Sequence, residues 1–298
     1  MPNASPPVLE IAIEPKTGAD QAKLEPALTV LTAEDAALRV TVDHESGQTL
    51  IKGTSEEQLA AAIERINNQF GAACRVGAPQ VAYRETISGK ADIDYTHKKQ
   101  TGGSDQFARV KIRFEPLPPG SSYQFENAVA GGTIPKGFIP GVEKGLRDST
   151  ERGVLAGYPV IDFKATLYDG AYHDVDSSAL AFEIAACAAF KEGMRKAEPV
   201  LLEPVMRLEV VTPCNYVADV IGDLTSRRGE ITGEQQRGSS KVINGVVPLA
   251  NLFGYRPTLN SLSRGHATYT MAFDHYARMP ASIFDPDPRF RPAMGMRA

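Results

Sequence analysis

The 298-residue chain has no phosphate-binding glycine motif. No Gly-x-x-x-x-Gly-Lys-Ser/Thr occurs, Gly89-Lys90 is followed by Ala91, and no Gly-x-Gly-x-x-Gly follows a strand-like segment. Such loops present consecutive backbone N–H groups to phosphates, so no residue here is assigned to binding or hydrolysing a nucleoside triphosphate. Gly102-Gly103 and Gly131-Gly132 instead suit tight turns, where glycine adopts positive φ at no steric cost. Cysteine is scarce as well. Cys74, Cys187 and Cys214 are odd in number, far apart and without a CxxC pair, which argues against a disulfide framework or zinc knuckle and for a reducing cytoplasm. No apolar run is long enough to span a bilayer, and the longest, Ala179–Phe190, carries Glu183. No basic segment precedes an apolar one at the N-terminus, so neither a secretory signal nor a membrane partner is expected.

What is present describes a folded, water-facing protein: 42% hydrophobic and 23% charged residues. The formal net charge of −4 hides a gradient. Residues 1–83 hold six basic against eleven acidic side chains, and residues 205–298 hold eleven against eight. A general nucleic-acid coat protein would be basic throughout, so any RNA contact is expected to be local.

Hydrophobic periodicity predicts three domains of α+β class. In 1–83, Val8–Glu14 alternates as a strand, a helix runs from Asp20 to about Leu31, and Leu38–Val42 with Thr49–Lys52 flank a turn at Glu45-Ser46-Gly47. Ser55 caps a helix whose face carries Leu59, Ile63, Ile66 and Phe70, and a strand follows at Cys74–Val76. This is the βαββαβ, ferredoxin-like plan. Residues 205–280 repeat it, with strand Val205–Val211, helix Tyr216–Arg228, a hairpin of Glu230–Gln236 and Lys241–Val247, a short helix at Leu259–Leu262 and strand His266–Tyr276. Between them, 84–204 is expected to place strands Arg84–Asp94, Gln106–Glu115 and Pro159–Asp169 with helices at Gly141–Glu151 and Ser177–Lys196. The Pro-rich tail 281–298 is expected to be disordered.

Two polar loops of the middle segment carry the candidate chemistry: Lys98–Asp105 and Gly170–Asp176. Lys98 and Lys99 suit phosphates, while Gln100 and the glycine pair suit close approach to a sugar edge. His173, Asp174 and Asp176 admit three readings: an acid–base or metal constellation, capping of the next helix by Asp176, Ser177 or Ser178, or an RNA-contacting tip. Arg227-Arg228-Gly229 ends a helix, where arginine favours the dipole and glycine is an ordinary C-cap. The stacking motif of sheet-type RNA-binding domains is absent from both ferredoxin-like segments.

Several runs resemble elongation factor G. They include Ile13-Glu14-Pro15-Lys16-Thr17, Gly77–Ile87, Leu155-Ala156-Gly157-Tyr158-Pro159-Val160, Tyr172-His173-Asp174-Val175-Asp176-Ser177-Ser178, Leu201-Leu202-Glu203-Pro204, Gly222-Asp223-Leu224 with Arg227-Arg228-Gly229, and Phe253-Gly254-Tyr255. The resemblance covers about residues 8–280 and maps, in order, onto that family's third, fourth and fifth domains. It implies an elongated middle domain like ribosomal protein S5, flanked by the two ferredoxin-like modules. It also implies a translocation factor whose partners are the ribosome, through rRNA of both subunits, and the tRNA–mRNA duplex.

By the same resemblance, Gln100, Thr101, Gly102, Gly103 and Gln106 form a first tip loop, and His173 and Asp174 a second. Arg227 and Arg228 become the large-subunit contact. GTP and Mg are expected only in a GTPase domain outside this chain, and a cytoplasmic monomer is expected. Two departures stand out. The first loop reads Gly102-Gly103-Ser104-Asp105-Gln106, with an acid where the family has glycine, and Gly53–Leu59 lacks the family's histidine. They motivate a second reading, a paralogue for ribosome recycling or rescue. A third reading is a stand-alone enzyme using His173, Asp174 and Asp176.

Overall fold

The computed structural model describes residues 6–42, 48–99 and 105–280. The chain divides into two compact units. One takes the described residues up to Ala82 together with Glu203–Ala277, and the other takes Tyr83–Leu202 with Arg278–Pro280. The turn expected at Glu45–Gly47 and the tail 281–298 lie outside the described residues.

The first module of the first unit runs β1 (Leu9–Pro15), α1 (Gly18–Glu34), β2 (Arg39–Val42), β3 (Thr49–Gly53), α2 (Glu56–Asn68), β4 (Cys74–Val76). Its sheet order is β2-β3-β1-β4 with neighbouring strands antiparallel, and β5 (Gln80–Val81) adds to β1. That order is what a βαββαβ chain produces when each crossover helix skips one strand. Local chemistry fixes the helix starts. Thr17 Oγ accepts the Asp20 N–H at 3.2 Å, and Ser55 Oγ accepts the Gln58 N–H at 3.2 Å. Gln58 answers by accepting the Thr54 N–H at 2.7 Å, so the segment that departs from the family pattern is a working capping arrangement. The buried face of α2 is Leu59, Ala62 and Ile66, whereas Ile63 and Phe70 are only half-buried.

The second unit holds β6 (Arg84–Ile87), β7 (Ala91–Lys99), β8 (Gln106–Pro116), β9 (Tyr123–Asn127), α3 (Ile139–Thr150), β10 (Phe163–Ala171) and α4 (Ala179–Lys196). Its four-stranded sheet has the order β7-β8-β10-β9, antiparallel except for the parallel β9–β10 pair. The single strand expected over Arg84–Asp94 is in fact two. Ser88 and Gly89 break it, their N–H groups turning to the Glu198 and Ala197 carbonyls at 3.1 and 2.9 Å. The strand expected from Pro159 begins only at Phe163, because Asp162 adopts φ of 58° and leaves the extended region.

One sheet face is wholly apolar: Ile93, Ala108, Val110, Ile112, Phe114, Phe163, Ala165 and Leu167 pack on α3 and α4. Phe190 meets Phe114 edge-on at 6.3 Å between ring centroids. The helices approach closely because Gly141 and Gly145 of α3 face the Ala179 and Glu183 carbonyls, where any Cβ would collide.

The last module, in the first unit from Glu203 onward, runs β11 (Pro199–Pro213), α5 (Val217–Ser226), β12 (Glu230–Arg237), β13 (Ser240–Pro248), α6 (Tyr255–Leu262), β14 (Thr268–Arg278). Its order, β12-β13-β11-β14, repeats that of the first module, and β6 pairs with the Pro199–Leu202 end of β11. The β12–β13 hairpin turns through Gly238 at φ of 62°.

One buried group organises the second unit. Glu85 on β6 is 1% exposed, and its carboxylate accepts the N–H groups of Leu155, Ala156, Gly157 and Tyr158 at 2.8–3.1 Å. Its own N–H and C=O bond Pro159 and Ile161. The loop can wrap this closely only because Gly153 has no side chain, a Cβ there falling on the carboxylate itself. Replacing Glu85 by Gln puts an NH2 among donors and removes the charge that strengthens these bonds. Glu85→Gln is expected to destabilise this unit by about 2–4 kcal/mol in urea denaturation, from roughly two weakened charge-assisted bonds; a loss under about 0.5 kcal/mol, the size of an ordinary surface change, would contradict this role.

Candidate functional site

The strand ends that flank the two polar loops meet at one end of the second unit's sheet. Strand β7 leads into the first, β8 leaves it, and the hairpin register sets Lys99 opposite Gln106 and Lys98 opposite Phe107. Gln100, Thr101, Gly102 and Gly103 lie outside the described residues. Of the first-loop candidates, Gln106 is described: its Oε1 lies 3.0 Å from Nε2 of His97 on the neighbouring strand. Asp105 beside it is exposed. Strand β10 brings the second loop to the same place, because Ala171 pairs with Arg109 near the start of β8.

The second loop is held by its own backbone and side chains. His173 N–H donates to Ser177 Oγ at 2.9 Å, and Ser177 N–H donates to the His173 carbonyl at 3.1 Å. Ser177 Oγ in turn donates to the Phe107 carbonyl at 2.7 Å, and Phe107 N–H donates to the Asp176 carbonyl at 2.9 Å. His173 Nδ1 lies 3.0 Å from Asp176 Oδ2 and 3.4 Å from the Val175 nitrogen. The contact with Asp176 orients the exposed ring. Asp174 and Val175 are exposed, Val175 at 83%. Of the capping candidates Asp176, Ser177 and Ser178, it is Ser178 that caps α4, its Oγ accepting the Ala181 N–H at 3.1 Å.

His173, Asp174 and Asp176 stand on an open, polar loop, and among the described residues no group of histidine, cysteine or acidic side chains is arranged to hold a metal ion. What the arrangement offers is hydrogen-bonding edges on a firm base, with two lysines beside them. Neither Lys98 nor Lys99 has a salt-bridge partner among the described residues. Farther along the sheet the cations are neutralised in place. Arg109 meets Asp94 at 2.5 Å, Lys111 meets Asp169 at 2.9 Å and Arg113 meets Asp92 at 3.5 Å. Hydrogen bonding by Arg109 holds the Asp94 carboxyl below its ordinary range, and Lys111 does the same for Asp169.

Arg227 and Arg228 sit elsewhere, in the first unit, and both are committed to internal partners. Arg227 bonds Asp223 at 2.9 Å, the Asn251 carbonyl at 2.7 Å and Thr258 at 3.2 Å, and its guanidinium covers the Tyr255 ring at 5.2 Å. Arg228 forms a two-pronged pair with buried Glu203 at 2.6 and 3.1 Å. The expected glycine C-cap is also corrected. Arg228 itself takes the left-handed position, φ 63°, while Gly229 is required by crowding, since a Cβ would press on the Leu224 carbonyl. Removing Arg228 would leave Glu203 charged and buried without its partner. Arg228→Ala is expected to cost about 2–4 kcal/mol of stability by urea denaturation, whereas Arg207→Ala, whose pair with Asp274 is long and exposed, is expected to change it by less than about 0.5 kcal/mol.

Among the described residues, no helix is long and apolar enough to cross a membrane. Three family models match the chain consecutively: elongation factor G domain III at residues 4–78, domain IV at 79–198 and the elongation factor G C-terminus at 200–286. Proteins named elongation factor G from Cereibacter sphaeroides and Paracoccus denitrificans are 57% identical over 279 residues, covering 94% of this chain and 40% of theirs. One from Rhodopseudomonas palustris is 57% identical over 277 residues, covering 93% of this chain and 40% of its own. A crystal structure of a Thermus thermophilus protein superposes with a TM-score of 0.74 at 42% identity, over 95% of this chain and 42% of that one. The chain thus spans about 40% of the length of the curated relatives it matches.

Proposed function

The chain belongs to the elongation factor G family, and from that premise we propose that it is the ribosome-engaging portion of a translation elongation factor. In this reading the loop end of the second unit contacts the tRNA–mRNA duplex in the decoding region and keeps it paired while it advances. The observation that carries the reading is the meeting, at one sheet end, of the strand ends that flank the two polar loops, with His173 and Gln106 each oriented by a neighbour. The His173 imidazole, the Asp174 carboxylate and the Gln106 amide are edges for riboses and base edges, and Lys98 and Lys99 are the phosphate contacts. Gln100, Thr101, Gly102 and Gly103 join them by sequence. No nucleotide chemistry is assigned to any residue of this chain.

Arg227 and Arg228 enter this reading as the frame of a large-subunit contact rather than its cations, since their donors are spent on Asp223, Asn251, Thr258 and Glu203. The protein would act as a cytoplasmic monomer. Asp105 favours one other role for the same surface. An exposed acid beside the duplex repels phosphate, which suits a diverged paralogue acting in ribosome recycling or rescue.

Co-sedimentation of the purified chain with ribosomes tests the proposal. Binding is expected at low salt and should weaken as salt rises, because phosphate contacts release counterions. His173→Ala should weaken it about three- to tenfold, the worth of roughly one hydrogen bond. Failure to sediment at low salt, alongside a full-length relative that does, would refute the reading. Restored elongation when the full-length version complements a translocation defect would eliminate the paralogue reading.

A further inference from the structure

The two serines that close the second loop have separate tasks. Ser178 Oγ accepts the Ala181 N–H, which makes it the N-cap of α4. Ser177 Oγ is half-buried and bridges two elements, accepting the His173 N–H and donating to the Phe107 carbonyl. Phe107 returns a bond by donating its N–H to the Asp176 carbonyl. Phe107 follows Gln106 directly, so a single hydroxyl ties the base of the first loop to the residue that carries the second loop's imidazole. A hydroxyl is needed for this, since the same atom must accept from one backbone and donate to another.

We infer that Ser177 is a positioning residue that locks the second loop onto the start of β8, setting His173 on the side of Gln106. The inference rests on the proposed RNA-contacting role of that surface. Ser177 touches no RNA in this account; it acts through His173 and Phe107. Loss of its hydroxyl leaves the His173 N–H and the Phe107 carbonyl unpaired, and the loop that carries His173 drifts from the β8 edge. Loss of the Ser178 hydroxyl frays the first turn of α4 and leaves the loops tied.

Four variants separate these roles: Ser177→Ala, Ser177→Thr, Ser178→Ala and His173→Ala. Amide hydrogen exchange on the isolated chain reads the lock without any ribosome. Ser177→Ala should speed exchange at His173 and Phe107 about tenfold or more, since each bond is worth roughly a factor of three to ten. Ser177→Thr should restore slow exchange, and Ser178→Ala should leave these two amides unchanged while lowering thermal stability. Unchanged protection in Ser177→Ala overturns the lock.

Co-sedimentation with ribosomes then reads its consequence. Ser177→Ala should lose about as much affinity as His173→Ala, the double variant little more than either, and Ser177→Thr should bind as the unaltered chain does. If His173→Ala weakens binding and Ser177→Ala does not, the positioning role is wrong while the proposed function stands. If neither variant changes binding although exchange at His173 quickens, the RNA-contacting role of this surface falls, and the positioning role with it.

Discussion

The buried carboxylate of Glu85 is the constraint on which the second unit turns. Four backbone N–H groups from one loop converge on it, and the strand that carries it bonds the residues on either side of Val160. This anchors the chain just before β10. Asp162 adds a second anchor, accepting the N–H groups of Gly120 and Ser122 at 3.1 and 2.9 Å. The two acids together decide where β10 begins. A strand's side chains alternate between faces, so a one-residue slip would send Phe163, Ala165 and Leu167 to solvent. The same register decides that Ala171 reaches Arg109 and that the His173 loop emerges beside Gln106. The candidate site is therefore positioned by groups at the opposite end of its own strand.

Much of this was legible in the sequence, for a physical reason. Alternation and helical spacing report burial on one face, and both ferredoxin-like modules bury one sheet face under two helices. The two loops stood out in the sequence by their polarity between long elements. Structure defined by backbone partners was not legible. β5 and β9 are short, and their pairing depends on strands distant in the chain. The break at Ser88–Gly89 arises from bonds to Ala197 and Glu198. Ile63 looked like a core residue by spacing, yet it is half-buried and Ala62 takes the buried place.

Charge was the least readable property. Arg227 and Arg228 in a basic segment resembled an exposed cationic patch, but Asp223 holds the first, and Glu203, from the matched run Leu201–Pro204, is the buried counterpart of the second. An ion pair as distant in sequence as Glu203 and Arg228 is invisible to local composition. The sheet of the second unit makes the same point more broadly. Its exposed face is studded with Arg109, Lys111 and Arg113, each already matched by an aspartate on a neighbouring strand. Such pairs add little stability apiece, but they cancel the field that would otherwise draw phosphate to the sheet.

That cancellation bears on how the loop end recognises its partner. With cations along the sheet neutralised, Lys98 and Lys99 remain the described ones beside the site without a carboxylate. Two phosphate contacts yield a salt dependence of only about two in the logarithmic slope, far below that of proteins that bind nucleic acid by charge. The proposed recognition at this surface therefore rests on geometry, on hydrogen-bonding edges set at fixed separations. Loosely held loops would lose those bonds to conformational entropy, since each ordered residue costs on the order of 1 kcal/mol. In the proposed reading, a surface with so little charge works only if its hydrogen-bonding edges are set before the partner arrives. The bonds through Ser177, Asp176 and Phe107, and the contact between His97 and Gln106, hold the second loop and the start of β8 in place in advance.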